Sequence, residues 1–315
     1  MARYVVTGGA GFIGSHLVDA LLAEGHMVCV VDDLSTGRTQ NLDPRAELLR
    51  GDVADPGMMR AAMAGADGCF HLAAVASVVR ANEDWLGTHR SNLTGTIAVL
   101  DAARAAGRVP VVYASSAAIY GEQRAEPVAE EAPACPRTAY GADKFGSELH
   151  GRVAFGVHGV PTTGLRFFNV YGPRQDPSSP YSGVVSVFAA RMATGQPITI
   201  HGDGEQVRDF VYVADVVRML RAGMARLARQ PDASVFNVCT GRPTSVLALA
   251  RAIGAATGRV PRIGFDGPRL GDVRYSLGNP DRARAALGVA ADTVLADGLA
   301  RTLAGLPPGA MQLVA

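Results

Sequence analysis

Neither sign of charge dominates this chain. Thirty Lys and Arg against 29 Asp and Glu leave a net charge of +1, with acid and base interspersed, so neither a nucleic acid nor an anionic membrane is an expected partner. No apolar run approaches the roughly 20 residues that a membrane span needs. The first strand pattern starts at Arg3, which leaves no room for a signal peptide ahead of it. Cysteine is sparse and scattered. Cys29, Cys69, Cys135 and Cys239 lack metal-ligand spacing, so no metal site is expected, and nothing asks for disulfides, which fits a reducing cytosol. Repeats are absent. What remains is a chain of 315 residues with a 48% apolar fraction, ample for a buried core and long enough for one large α/β unit with a smaller lobe. A soluble cytoplasmic protein is expected.

The most organised stretch is the first. Arg3-Tyr-Val-Val-Thr7 enters Gly8-Gly9-Ala10-Gly11-Phe12-Ile13-Gly14, and an amphipathic pattern of Phe12, Ile13, Leu17, Leu21 and Leu22 leaves it. That is strand, tight turn, helix. The glycines fit either Gly-x-Gly-x-x-Gly (9, 11, 14) or Gly-x-x-Gly-x-x-Gly (8, 11, 14). In both readings missing Cβ atoms let backbone approach a pyrophosphate, which the amides and dipole of the helix face. The alternative is a glycine-rich turn with no ligand. Met27-Val-Cys-Val-Val31 is a continuous apolar run ending in Asp32-Asp33, as suits a parallel strand buried on both faces. Asp32 lies 18 residues beyond Gly14, near the spacing for a carboxylate on an adenosine ribose. A carboxylate there would repel a 2′-phosphate and so favours NAD over NADP. The alternative is an acidic residue that merely ends a strand. Asp33 to Arg38 supplies small polar groups near the adenine side.

Further strands are expected at Glu47–Val53, Gly68–Ala74 and Pro110–Ser116, with helices at Pro56–Met63 and from about Glu83 to Ala106. The alternation predicts a doubly wound parallel sheet, with chemistry at the carboxyl ends of its strands, where Asp32, Ala73 and Ser116 fall. Residues 1–172 are read as this dinucleotide-binding domain. Residues 173–315 are read mainly as a smaller mixed α/β lobe, with about 211–240 returning to the first domain. The regularity loosens at the proline-rich stretch Gly172–Pro180. Beyond it come helices near Val184–Thr194, Ala214–Arg229, Leu247–Thr257, Asp281–Leu287 and Thr293–Leu303, with strands at Ile198–Ile200 and Val235–Val238. The tail from Pro307 to Ala315 is expected to fray.

Tyr140-Gly-Ala-Asp-Lys144 opens another helix. Residues i and i+4 share a face, so Tyr140 and Lys144 point the same way. A tyrosine with a pKa near 10 is a poor base at neutral pH. A nearby ammonium and a positive nicotinamide ring would favour its phenolate and lower that value. Ser116, at a strand end 24 residues earlier, could hydrogen-bond the same substrate oxygen. A Tyr-x-x-x-Lys pair alone arises often by chance, but here it accompanies a dinucleotide turn, a ribose-type aspartate and a serine-bearing strand end.

With these motifs together the sequence resembles the extended short-chain dehydrogenases, specifically the nucleotide-sugar epimerase/dehydratase family. Matching segments are residues 7–16, Gly51-Asp-Val53, His71-Leu-Ala-Ala74, Ser115–Gly121, Tyr140–Lys144, Arg166–Pro173, Gly202–Phe210 and Arg269-Leu-Gly-Asp-Val-Arg274. The resemblance implies a Rossmann sheet and NAD held by Gly8, Gly11, Phe12, Ile13, Gly14, Asp32, Asp33, Asp52, Val53, Leu72, Ala73, Asn92, Tyr140 and Lys144. It implies that Ser116, Tyr140 and Lys144 are catalytic. It places Ser116, Asn169, Arg208, Arg269, Asp272 and Ser276 against a nucleotide diphosphate sugar. Two arginines suit a pyrophosphate, and Asp272 can accept from ribose hydroxyls.

Family members with this site run different reactions. The 4,6-dehydratases carry an Asp-Glu pair just after the strand-end threonine; here those positions are Ala117-Ala118, so elimination lacks its acid and base. Ser116, Tyr140 and NAD suffice for 4-epimerisation. By the family's Arg-x-Gly-Asp spacing, Ser276 meets the position that gates the sugar's 2-substituent, and a serine leaves room for an acetamido group. The expectation is interconversion of UDP-N-acetylglucosamine (UDP-GlcNAc) and UDP-N-acetylgalactosamine (UDP-GalNAc), alongside UDP-Glc and UDP-Gal. The alternatives are an epimerase restricted to unacetylated or uronic sugars, a dehydratase or decarboxylase, and a non-enzymatic nucleotide sensor. A homodimer built from the helices around 83–106 and 140–158 is a further family implication.

Overall fold

The computed structural model describes residues 1–76, 78–123, 127–177, 183–268 and 272–306. Arg269 and the tail 307–315 lie outside the described residues. The first half runs β1 (Arg3–Thr7), α1 (Phe12–Ala23), β2 (Met27–Asp32), β3 (Glu47–Arg50), α2 (Pro56–Met63), β4 (Gly68–His71), α3 (Val78–Glu83), α4 (Trp85–His89), α5 (Gly95–Ala105), β5 (Val111–Ser116), α6 (Ala139–His158) and β6 (Thr162–Phe167). There follow β7 (Asn169–Tyr171), α7 (Val184–Ala193), β8 (Ile198–His201), β9 (Val207–Arg208), β10 (Phe210–Tyr212), α8 (Val213–Arg229) and β11 (Ala233–Val238). The chain closes with β12 (Thr244–Ser245), α9 (Val246–Thr257), β13 (Ile263–Asp266), β14 (Tyr275–Ser276), α10 (Asp281–Leu287) and α11 (Leu295–Ala304).

Seven strands form one parallel sheet in the order β11-β6-β5-β4-β1-β2-β3. It is the doubly wound Rossmann sheet that the alternating pattern implies. Its strands are apolar on both faces because both faces are covered. Val6 packs with Leu17, Leu21 and Leu220 of α1 and α8, while its neighbour Val5 packs with Met59 and Val99 of α2 and α5; successive side chains point to opposite faces of a strand. After β3 at one edge the chain returns to pair β4 beside β1. That reversal opens a crevice above the carboxyl ends of β1 and β4. Smaller sheets (β10-β7, β12-β9-β14 and β13-β8) and a separate core of Tyr171, Phe188, Ile200, Leu249 and Leu299 stand beyond it.

Several elements depart from the sequence expectation. The helical pattern over 83–106 is broken. Asp84 caps α4 by accepting from the Gly87 amide, and residues 90–94 form a wider π turn before α5 begins at Gly95. The third strand stops at Arg50 because the Asp52 carboxylate accepts from the Ala54 amide and turns the chain. The fourth stops at His71, and residues 72–74 leave the sheet. β6 is not foreseeable from its sequence: Thr-Thr-Gly-Leu-Arg-Phe shows no alternation, and it carries a charge.

That charge is Arg166, and it is buried. Its guanidinium makes a two-point pair with Glu148 of α6, Nε to Oε1 at 2.9 Å and Nη2 to Oε2 at 2.8 Å, with both side chains buried. The Ser115 hydroxyl donates to the same carboxylate at 2.5 Å, and Nη1 of Arg166 donates to the Tyr120 hydroxyl at 2.7 Å and the Glu130 carbonyl at 2.8 Å. Removing one partner from such a pair strands an uncompensated charge, at a cost of about 3–5 kcal/mol. The expected result for Glu148→Gln is therefore a loss of that size in urea unfolding; a loss below about 1 kcal/mol would contradict the role given to this pair.

Candidate active site

The turn between β1 and α1 is shaped by close approach. Gly8 has φ +68°, and a Cβ there would stand 2.7 Å from the Ala73 amide nitrogen. A Cβ on Gly14 would stand 2.1 Å from the Gly8 carbonyl oxygen, so only hydrogen lets α1 sit this close to the turn. The first turn of α1 has no side-chain cap; its amide groups are left for a ligand, the usual arrangement at an anion-binding helix end. At the end of β2 the buried Asp32 carboxylate accepts from the Ala10 and Leu34 amides, both at 2.9 Å. Burial pushes its pKa up, and those two bonds oppose the rise.

One cavity of about 290 Å³ gathers most of the expected cofactor residues. Gly8, Gly11, Phe12, Ile13, Gly14, Asp32, Asp33, Asp52, Val53, Leu72, Ala73, Tyr140 and Lys144 all line it. An uncapped helix end, a glycine cradle and a ribose-type carboxylate on one cavity fit a dinucleotide. Asn92 does not line it. It is buried in the π turn, where its amide oxygen accepts from the Val75 amide at 2.8 Å and its nitrogen donates to the Val75 carbonyl at 3.3 Å. Its bonds hold the wall at residues 72–76 rather than facing the cavity.

Thr138 caps α6 by accepting from the Gly141 amide, and the helix then presents Tyr140 and Lys144 one turn apart. The Lys144 ammonium is buried, donates to the Ala114 carbonyl at 2.9 Å and lies 5.9 Å from the Tyr140 ring centre. Burial lowers its pKa to about 8, against an opposing pull from Asp143. Tyr140 shifts the other way. Burial pushes its phenol above 10, and the Ser116 hydroxyl pulls the other way without prevailing. The protein by itself desolvates this tyrosine more than it stabilises a phenolate. Behind the site His71 is neutral: burial takes it down to about 3, and its nitrogens meet the Thr7 and Thr96 hydroxyls at 2.8 and 3.0 Å.

A second cavity, of about 260 Å³, meets the first at Tyr140 and Phe167. It is lined by Ser116, Asn169, Arg208, Asp272 and Ser276, residues from β5, β7, β9, β14 and the segment before β14. Arg208 is ion-paired to Asp272, and Ser276 is its partner across the β9–β14 pairing. Ala117 and Ala118 form the wall next to Ser116. Arg137 and Thr138 also line this cavity, which the sequence reading missed; a cap two residues ahead of the tyrosine was the available signal. The arrangement sets a hydroxyl, a phenol and a buried ammonium where a cofactor cavity and a polar substrate cavity join. That junction suits proton removal from an alcohol coupled to hydride transfer.

Residues 4–239 match the family model described as the NAD dependent epimerase/dehydratase family. A UDP-glucose 4-epimerase of Mycolicibacterium smegmatis is 40% identical over 309 residues, covering 96% of this chain and 97% of that protein. Among solved structures, UDP-glucose 4-epimerase of Thermotoga maritima with UDP-glucose superposes with a TM-score of 0.91 at 38% identity, covering 96% of this chain and 98% of that one. UDP-N-acetylglucosamine 4-epimerase of Methanobrevibacter ruminantium, in complex with UDP-N-acetylmuramic acid, gives 0.91 at 30% identity, covering 96% and 97%.

The cradle geometry has a direct consequence. Gly14→Ala would drive a methyl group against the Gly8 carbonyl, so NAD added to nucleotide-stripped protein should bind at least about tenfold more weakly by calorimetry. Unchanged affinity in the alanine variant would show that the turn does not hold the dinucleotide.

Proposed function

Since the chain belongs to the NAD-dependent epimerase/dehydratase family, we propose that it is a cytoplasmic UDP-sugar 4-epimerase. In this reading it interconverts UDP-GlcNAc and UDP-GalNAc, alongside UDP-Glc and UDP-Gal. The observation that carries the proposal is the wall of the second cavity: Ala117 and Ala118 stand beside Ser116, and the small Ser276 lies across the same space. Two alanines supply no acid or base for elimination, and a serine leaves volume for a 2-acetamido group. A relative named for UDP-N-acetylglucosamine supports the acetylated substrate, while the relatives named for UDP-glucose favour the plain hexose as a second reading.

Arg208 and Asn169 hold the diphosphate end, with Asp272 accepting from ribose hydroxyls and Arg269 adding a second cation. Ser116 and Tyr140 hold the 4-hydroxyl. The residues lining the first cavity would hold NAD, which would supply the hydride acceptor, and later the donor, at C4. Tyr140, as the phenolate that the Lys144 ammonium and a positive nicotinamide ring would favour, takes the hydroxyl proton as the C4–H bond breaks, leaving a neutral 4-keto sugar, and returns it when that bond re-forms on the other face. Lys144 supports the tyrosine oxygen while it carries negative charge. The alanine wall lets the planar ketone turn over, because it makes few directional contacts with the ring. Oxidation and reduction cancel within each cycle, so a protein that released NAD midway would abandon its ketone. A persistent grip on the pyrophosphate follows, and protein as purified should contain bound nucleotide. Needing added NAD for every turnover would contradict this.

Leu149, Val153 and Val157 make an exposed apolar stripe at four-residue spacing along α6, with Ile97 exposed on α5. Such a stripe suits burial against another helix pair. A second copy of the chain, forming a four-helix bundle about a two-fold axis, is the proposed partner. Light scattering should give twice the 32.7 kDa chain mass, and Val153→Glu should give the monomer. A wild-type monomer at micromolar concentration would sink the dimer.

Coupled assays on both sugar pairs test the substrate. Ser276→Tyr should lower kcat/KM for UDP-GlcNAc at least about tenfold while leaving UDP-Glc within about threefold. Wild-type turnover of the unacetylated pair alone would remove the acetamido reading.

A further inference from the structure

Lys144 is the chain's only lysine, and its charge is held in a buried place with little to sustain it. The Ala114 carbonyl accepts a hydrogen bond from it but carries no net charge. Tyr140 shares its helix face, and His71 from β4 is neutral. The residue just before it, Asp143, is itself only 4% exposed. Its Oδ1 meets Nδ1 of His89, on α4, at 2.8 Å. A carboxylate can only accept, so Nδ1 of His89 must carry the proton. Its Oδ2 is buried without a hydrogen-bond partner among the described residues, as is the Thr88 hydroxyl on α4. A buried carboxylate with one unsatisfied oxygen is costly and calls for an explanation.

The other charged groups on elements packed against α6 do not supply a counter-charge to Lys144. Arg90 of the π turn pairs with Asp52, Asp101 and Arg104 of α5 pair with each other, and Arg166 of β6 pairs with Glu148. α3 carries Arg80 and Glu83, both engaged in interactions of their own. We infer that Asp143 is a positioning residue for catalysis: clamped by His89 across the α4–α6 contact, its carboxylate is the buried counter-charge that keeps the Lys144 ammonium charged beside Tyr140.

Burial alone pulls Lys144 down from 10.5, and Asp143 opposes that pull, leaving the value at about 8. A lysine is charged below its pKa and loses the charge as pH rises through it. Without the carboxylate the midpoint falls further, and at neutral pH much of the ammonium that supports the Tyr140 oxygen is lost. His89 keeps the carboxylate from turning out to solvent. The inference rests on the epimerase reading only where turnover is measured.

The single lysine makes the test direct. Protein grown on lysine labelled with ¹³C at Cε gives one side-chain carbon signal, which can be titrated in the protein as purified. The wild-type midpoint is expected near 8, and Asp143→Asn and Asp143→Ser should each lower it by about one pH unit. Asp143→Glu should recover most of the difference. The alkaline limb of kcat should move by the same interval, with KM for the nucleotide sugar within about twofold. Two charge-removing variants of different size guard against one failing to fold. An unmoved midpoint in both would overturn the inference and leave Asp143 as a buried partner of His89 alone. A lowered midpoint in a protein that turns over no UDP-sugar would uphold it while sinking the epimerase reading.

Discussion

Everything at this site depends on α6 being held at one height and one rotation against β5 and β6. The buried pair of Arg166 and Glu148 does that holding. Its two parallel bonds join β6 to the middle of α6, and Ser115 adds β5 through the same carboxylate. Ser115 precedes Ser116, and Glu148 lies one helical turn beyond Lys144. The strand end bearing Ser116 and the helix bearing Tyr140 and Lys144 are thus fixed to each other just behind the junction of the two cavities. Two-point guanidinium geometry tolerates little rotation, which is why a charge pair, costly to bury, is well placed here.

Burial sets the electrostatics of the pair in front. Low dielectric disfavours charge of either sign, so it raises Tyr140 and lowers Lys144 at once. The ammonium by itself does not bring the phenol down. The folded chain instead desolvates both groups, and the opposing contributions come from Ser116 on one side and Asp143 on the other. A ligand that brings positive charge to Tyr140 then acts on a half-buried, partly desolvated group, where a nearby charge has more effect than in water.

The two cavities meet only where Tyr140 and Phe167 reach both. The first cavity is built from strand ends of the parallel sheet, and the second from short strands whose partners lie far apart in sequence. Arg208 and Asp272 are 64 residues apart yet ion-paired, and Ser276 reaches its place through a two-residue pairing with β9. The chemistry at the junction therefore needs the second half of the chain folded onto the first.

Short-range relations could be read in the order of the residues. The glycine turn, Asp32 closing an apolar run, and Tyr140 one helical turn from Lys144 are all consequences of strand, turn and helix periodicity, and each stands where that periodicity puts it. Resemblance to a family carried Arg208, Asp272 and Ser276 to one cavity, which no local pattern could have done. Other features came only from packing. β6 has no alternation because both its faces are covered, and its arginine made it look unlike a core strand until Glu148 was seen opposite. Asn92 bonds the Val75 backbone through both atoms of its amide, inside a π turn that the spacing does not show. The direction of the Tyr140 shift is likewise a property of the folded interior, since desolvation exists only once the chain has closed around the group.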